Sequence, residues 1–218
     1  MHTFAGHCLF CDKETLFEKA IDRPYRSSRC TKCGSPSRDR ALWWALTRAF
    51  PNWRELSIHE SSPGWEQSSI RLAKECVGYV ASQFNEAYPN GKIIEDERLP
   101  CQRYVVQNLE DQTFRDESFD IVVAQDVFEH LFDPLKAIAE ISRTLKPGGS
   151  VIITVPVVRK FSPSRRRAKR LAHGIVHLFP PEYHGNPMSK DGSLVTIDYG
   201  YDICALLASA SDTNSHSG

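Results

Sequence analysis

The feature that most restricts the fold is a pair of short, predominantly apolar runs, Phe119 to Ala124 (FDIVVA) and Ser150 to Val155 (SVIITV), separated by one helix-length segment. A strand that is apolar on both faces must be covered on both faces, which is the situation inside a parallel sheet packed between helices. The segment between them fits. Asp133-Pro134 caps and opens a helix, Leu135, Ile138, Ile141 and Leu145 recur at helical spacing, and Lys146-Pro147-Gly148-Gly149 stops it. The same alternation extends upstream: a helix from Arg38 to Phe50 ended by Pro51, a strand from Leu56 to Glu60, a helix from Gln67 to Lys74, and strands at Val77 to Ala81 and Tyr104 to Gln107. The predicted class is α/β, a mostly parallel sheet with helices on both faces. Ligands of such sheets bind at the carboxyl ends of the strands, so the loops that follow the strands are where chemistry is expected.

Ahead of this pattern stand four of the seven cysteines, as Cys8-x-x-Cys11 and Cys30-x-x-Cys33. Each C-x-x-C presents two thiolates from one turn, and two such turns make the tetrahedral sulfur cage that zinc prefers. A cage closed by four thiolates leaves no open position, so the expected ion is structural. Residues 1–36 are therefore expected to form a small zinc-ribbon-like module, 37–210 the main domain, and 211–218 a disordered tail. Cys76, Cys101 and Cys204 stand alone and read as packing residues.

The chain has 218 residues, 41% of them hydrophobic, enough for a full core. Basic and acidic residues balance at 27 each, which gives no overall field for nucleic acid. The N-terminus lacks the pattern of a secretory signal, and no apolar run reaches the ~18 residues of a membrane span. A soluble, cytoplasmic protein without a transmembrane segment is expected.

The run from Asn108 to Leu131, containing FDIVVAQDVFEHL, together with Leu145-Lys146-Pro147-Gly148-Gly149 and the strand after it, resembles the class I S-adenosylmethionine-dependent methyltransferases. It is most similar to their small type 11 domains, and the resemblance covers roughly residues 38–156. It implies a Rossmann-like sheet and S-adenosyl-L-methionine as cofactor. It also implies a division of labour among the loops. Adenine would lie against Asn108, Leu109 and Glu110. The methionine arm would pass the stretch SIHESSPGWE, at Glu60, Ser61, Ser62 and Gly64, with Gln125 and Asp126 on its other side. Multiple glycines in such a turn serve close approach to a pyrophosphate. S-adenosylmethionine has none, so the single Gly64 suffices.

Two departures from the family stand out. The second strand lacks the acid that holds the ribose hydroxyls, leaving Ser82, Gln83 or Glu86 to substitute. The family's sixth and seventh strands are also unaccounted for, since SDTNSHSG is too short and polar to supply them. Either the reading frame is truncated, or the sheet ends at its fifth strand with an exposed edge, which favours a homodimer.

Residues 157–200 read as an insertion or lid over the acceptor. Arg165, Arg166, Arg167, Lys169 and Arg170, with Ala168, Leu171, Ile175 and Leu178 at three- and four-residue spacing, read as a basic amphipathic helix. Its charges suit a solvated face or an anionic partner. The adjoining HLFPPEYHGNP offers Tyr183 and His184 as catalytic candidates, with His130 as a second histidine near the reacting end. Methyl transfer needs alignment and, for a hydroxyl or ammonium, a base. The expected activity is methyl transfer to a small-molecule or sugar-type acceptor. An RNA acceptor, or a non-catalytic binding protein that retains the fold, is the alternative.

Overall fold

The computed structural model describes residues 2–19, 28–186 and 188–209. The expected tail 211–218 lies outside them. The chain begins with a three-stranded antiparallel sheet: β1 (His2–Cys8), β2 (Lys13–Lys19) and β3 (Arg29–Cys30). Then come α1 (Ser37–Ala49), β4 (Ser57–Ser61), α2 (Gln67–Glu75), β5 (Gly78–Gln83), β6 (Ile93–Glu95), β7 (Arg103–Val106), β8 (Phe119–Gln125), α3 (Pro134–Thr144) and β9 (Leu145–Thr154). The central sheet has the order β6-β7-β5-β4-β8-β9 and is parallel except for β6, which runs antiparallel along one edge.

The period of two along β8 explains how both faces are filled. Ile121 and Val123 point to one side, where Ile58 meets Leu42, Trp43 and Leu46 of α1 and Leu72 of α2. Val122 and Ala124 point to the other, against Ala137, Ile138 and Ile141 of α3. The expected helices and strands of 38–156 are present within a few residues. Asp133 caps α3 by accepting from the Lys136 N–H at 3.0 Å. Leu145 opens β9 instead of closing α3, and Lys146 to Gly149 form a bulge there, with the register slipping between Phe119 and Ile121. Gly148 has φ +78°, the left-handed conformation that glycine tolerates best. Among the described residues β9 forms the second edge of this sheet.

The segment after β9 departs from expectation. In place of a basic amphipathic helix it forms β10 (Val157–Arg159), β11 (Arg165–Arg166), β12 (Ala168–Leu171), β13 (Gly174–His177), β14 (Tyr183–Asn186), β15 (Ser189–Leu194) and β16 (Ile197–Gly200), followed by α4 (Ile203–Ala208). β12 pairs with β13 and β14 with β15 as antiparallel hairpins. The reason is visible in the charges. Helical spacing would have turned the arginines to solvent, whereas Arg165 and Arg167 both reach the nearly buried Asp198, at 2.6 and 3.0 Å, and Arg166 donates to the Phe132 carbonyl at 2.6 Å. Long-range ion pairs override a weak local period.

Candidate functional site

Four thiols meet at the N-terminal turns. Cys8 Sγ lies 3.7 Å from Cys33 Sγ and Cys11 Sγ 3.8 Å from Cys30 Sγ, with all four within 4.8 Å of one another. A zinc ion with ~2.3 Å bonds to sulfur sets tetrahedral ligands ~3.8 Å apart, a spacing that the Cys8–Cys33 and Cys11–Cys30 pairs already have. The module is tied to α2 by Arg71, which donates to the Phe10 carbonyl at 2.9 Å, and to α1 by Phe10 packing on Trp43.

The main cavity, about 1580 Å³, opens at the carboxyl ends of the parallel strands. Pockets for one small ligand usually span ~300–1,000 Å³, so there is room here for two reactants side by side. Its walls include Ser61, Ser62 and Gly64 after β4, Gln83 at the end of β5, Asn108, Leu109 and Glu110 after β7, and Gln125 and Asp126 at the end of β8. His130, Tyr183 and His184 line it as well.

Glu60 and Ser82 are not among the lining residues. Glu60 accepts hydrogen bonds from Ser69 Oγ at 2.6 Å and Tyr79 Oη at 2.7 Å inside the packed layer, and burial pushes its carboxyl up to about 7. Ser82 Oγ bonds His59 Nε2 at 2.8 Å, and burial holds that imidazole down at about 3. Glu86 is exposed, 3.7 Å from Arg170. Gln83 lines the cavity while its amide donates to the Pro63 carbonyl at 2.8 Å, which fixes the turn. In that turn the left-handed residue is Ser62, φ 55°, whose N–H donates to the Ser82 carbonyl at 2.7 Å. A Cβ on Gly64 would meet only the Glu66 carboxylate, the movable end of a side chain.

Asn108 Oδ1 accepts the Glu110 N–H at 3.0 Å, leaving the second lone pair of that carbonyl free for a ligand. Glu110 accepts from the Phe132 and Asp133 N–H groups at 2.7 and 3.0 Å and so anchors the loop before α3. At the opposite wall Arg38, in the first turn of α1, contacts Asp126 at 2.5 Å and Glu66 at 3.4 Å. Burial pushes Asp126 up to about 6, and Arg38 opposes that rise. Gln125 Oε1 is buried with no hydrogen-bond partner among the described residues. The sequence reading missed Arg38. Its signal was the polar SRDR at the start of an otherwise apolar helix, directly behind the cysteine module.

The third wall comes from the 3-10 turn Phe128–His130 and from β14. Glu129 is 2% exposed, and neither of its carboxylate oxygens has a hydrogen-bond donor among the described residues. His184 Nδ1 stands 3.6 Å and His130 Nε2 3.8 Å from Glu129 Oε1, and the two imidazoles cross edge to face. Burial lowers the His130 imidazole, whereas Glu129 raises that of His184. Thr196 fixes the turn by donating its N–H to the Glu129 carbonyl at 2.8 Å and its hydroxyl to the Leu131 carbonyl at 2.5 Å.

Residues 66–153 match the family described as a methyltransferase domain. That match runs from α2 to β9, through most of the central sheet, and agrees with the resemblance read from the sequence. The chain is 31% identical over 129 residues to a demethylmenaquinone methyltransferase of Clavibacter sepedonicus, an alignment covering 55% of this chain and 51% of the relative. It is 42% identical over 50 residues to a glycine/sarcosine/dimethylglycine N-methyltransferase of Actinopolyspora halophila, covering 23% of this chain and 9% of the relative. A solved S-adenosylmethionine-dependent methyltransferase from Mesorhizobium loti aligns over 79% of this chain and 82% of its own, with 14% identity and a TM-score of 0.47. The chain spans about half the length of the first of these relatives. No helix among the described residues is long and apolar enough to cross a membrane.

Proposed function

We propose that this chain transfers a methyl group from S-adenosylmethionine to a small-molecule or sugar-type acceptor. The observation that carries the reading is the cavity at the strand ends of a methyltransferase domain, with polar groups suited to each part of the cofactor. Adenine meets Asn108 and Leu109. The methionine arm lies between the Ser61–Gly64 turn and the end of β8, its ammonium offered Gln125 Oε1 and Asp126, its carboxylate offered Arg38. Ribose falls to Gln83, whose neutral side chain makes a weaker partner than an acid. The sulfonium supplies an electrophilic methyl group. What the protein adds is alignment of the acceptor for in-line attack and control of its proton. The acceptor occupies the wall of Glu129, His130, Tyr183 and His184.

A small acceptor is favoured over RNA because the arginines of 165–170 are largely spent on internal partners, namely Asp198, the Phe132 carbonyl and Glu86. Salt-sensitive RNA binding that disappears when Arg170 is neutralised would reverse that preference. The four thiols hold a structural zinc ion.

Calorimetric titration with S-adenosylhomocysteine tests the core of the reading. Saturable binding is expected, weakened about 10-fold or more in Arg38→Ala through loss of a charge-assisted contact. No heat and no thermal shift at millimolar ligand would favour a non-catalytic protein that keeps the fold.

A further inference from the structure

We propose that Glu129, His130 and His184 form a second metal site, a two-histidine, one-carboxylate site for a zinc-class divalent cation, open to the cavity. Three observations converge. The first is that Glu129 is a buried carboxylate with no hydrogen-bond donor on either oxygen among the described residues, and it faces the cavity wall. A charge placed so needs a compensating cation. The second is distance: Oε1, Nε2 of His130 and Nδ1 of His184 all lie within 4.8 Å of one another, with the histidines 3.8 and 3.6 Å from the carboxylate. Bonds of ~2.0–2.1 Å at a tetrahedral ion set ligand atoms ~3.4 Å apart, so side-chain movements of about an ångström or less close the site.

The third is how the rings are held from behind. His130 Nδ1 stands 2.9 Å from the Leu194 carbonyl, which fixes the proton on Nδ1 and turns the Nε2 lone pair toward Glu129. His184 presents its Nε2 to Glu182 at 3.7 Å, and Glu182 is itself 3.4 Å from Arg167. A carbonyl behind one ligand nitrogen and a carboxylate behind the other is the outer-shell pattern that orients metal-bound imidazoles. A single imidazolium at His184 would leave one carboxylate oxygen of Glu129 without a partner. An ion satisfies the carboxylate and both rings together.

Three protein ligands leave a coordination position open toward the cavity, which distinguishes this site from the closed cysteine cage. The role of the ion rests on the methyl-transfer reading: it binds the acceptor's hydroxyl oxygen and lowers its pKa, so that the proton leaves to solvent as the oxygen–methyl bond forms and the sulfur–methyl bond breaks.

The test is titration of the full chain, its cysteine cage already loaded, with Co²⁺, followed by visible absorption and by metal analysis after gel filtration. One further equivalent per chain is expected, with ligand-field bands but no added thiolate charge transfer. His184→Ala, at a half-exposed position, and Glu129→Gln should each weaken that equivalent at least 10-fold while circular dichroism is unchanged. No uptake beyond the cysteine cage, or full uptake by both variants, overturns the site. A chain that takes up Co²⁺ but not S-adenosylhomocysteine sinks the methyltransferase reading and leaves the site standing. The reverse result sinks only the site.

Discussion

Glu60 and Glu129 stand at the ends of neighbouring strands, are each 2% exposed, and are put to opposite uses. Glu60, on β4, turns into the packed layer and accepts two hydroxyl hydrogen bonds. Glu129, just past β8, turns toward the cavity and meets two imidazoles without receiving a hydrogen bond among the described residues. Equal burial therefore says nothing about role. The partners decide it: a carboxylate satisfied by hydroxyls is part of the core, and one left bare beside histidines is poised for a ligand.

The comparison can be broken by substitution, and the largest effect is expected at Glu60. Glu60→Ala strips Ser69 and Tyr79 of their acceptor and opens a hole in a closed layer, which should cost about 3 kcal/mol in denaturant unfolding. A loss below about 1 kcal/mol would mean that Glu60 is not a core group.

The pH dependence comes next. The folded pKa of Glu60, about 7, lies above its ordinary value of 4.5, so its contribution is fully present below about pH 4.5 and is lost as pH rises through 7. The swing is on the order of 3 kcal/mol, from ~1.36 kcal/mol per pKa unit. Glu60→Gln should flatten that part of the stability–pH curve; an unchanged slope assigns it to other groups.

Glu129→Gln sharpens the contrast from the other side. Removing a bare buried charge should leave unfolding free energy within about 1 kcal/mol of wild type, or raise it, in metal-free buffer. A large loss there would place Glu129 with Glu60. The smallest effect is expected at Gly64→Ala, in the turn that follows Glu60. Only the Glu66 carboxylate must move, so stability and S-adenosylhomocysteine affinity should change by no more than about twofold.

Much of the fold was legible because its signals are local. The apolar runs at 119–124 and 150–155 and the Asp133-Pro134 cap each act within a few residues and formed the elements expected of them, whereas Lys146–Gly149, expected to stop α3, became a bulge inside β9. The site was legible in part. Gln125, Asp126, Asn108 and the Ser61–Gly64 turn line the cavity because strand ends in a parallel sheet converge there. Glu60 was misleading, since alternation along β4 sends adjacent side chains to opposite faces and sequence does not say which face is closed. Arg38 and Glu129 went unseen because their significance depends on what stands opposite them. The basic segment was misjudged for the same reason. Its period fitted a helix, and Asp198 and the Phe132 carbonyl, far along the chain, drew it into strands.

By itself the sequence determined the alternating order of the central sheet and which four thiols come together, because both are written in short spacings: strand–turn–helix units in a fixed order, and C-x-x-C twice. Tertiary structure alone decided which buried glutamate is core and which faces the cavity, and it brought His184 on β14 against His130 after β8. Turn and strand preferences act over a few residues, whereas the partners of a buried charge are chosen by the packing of distant segments.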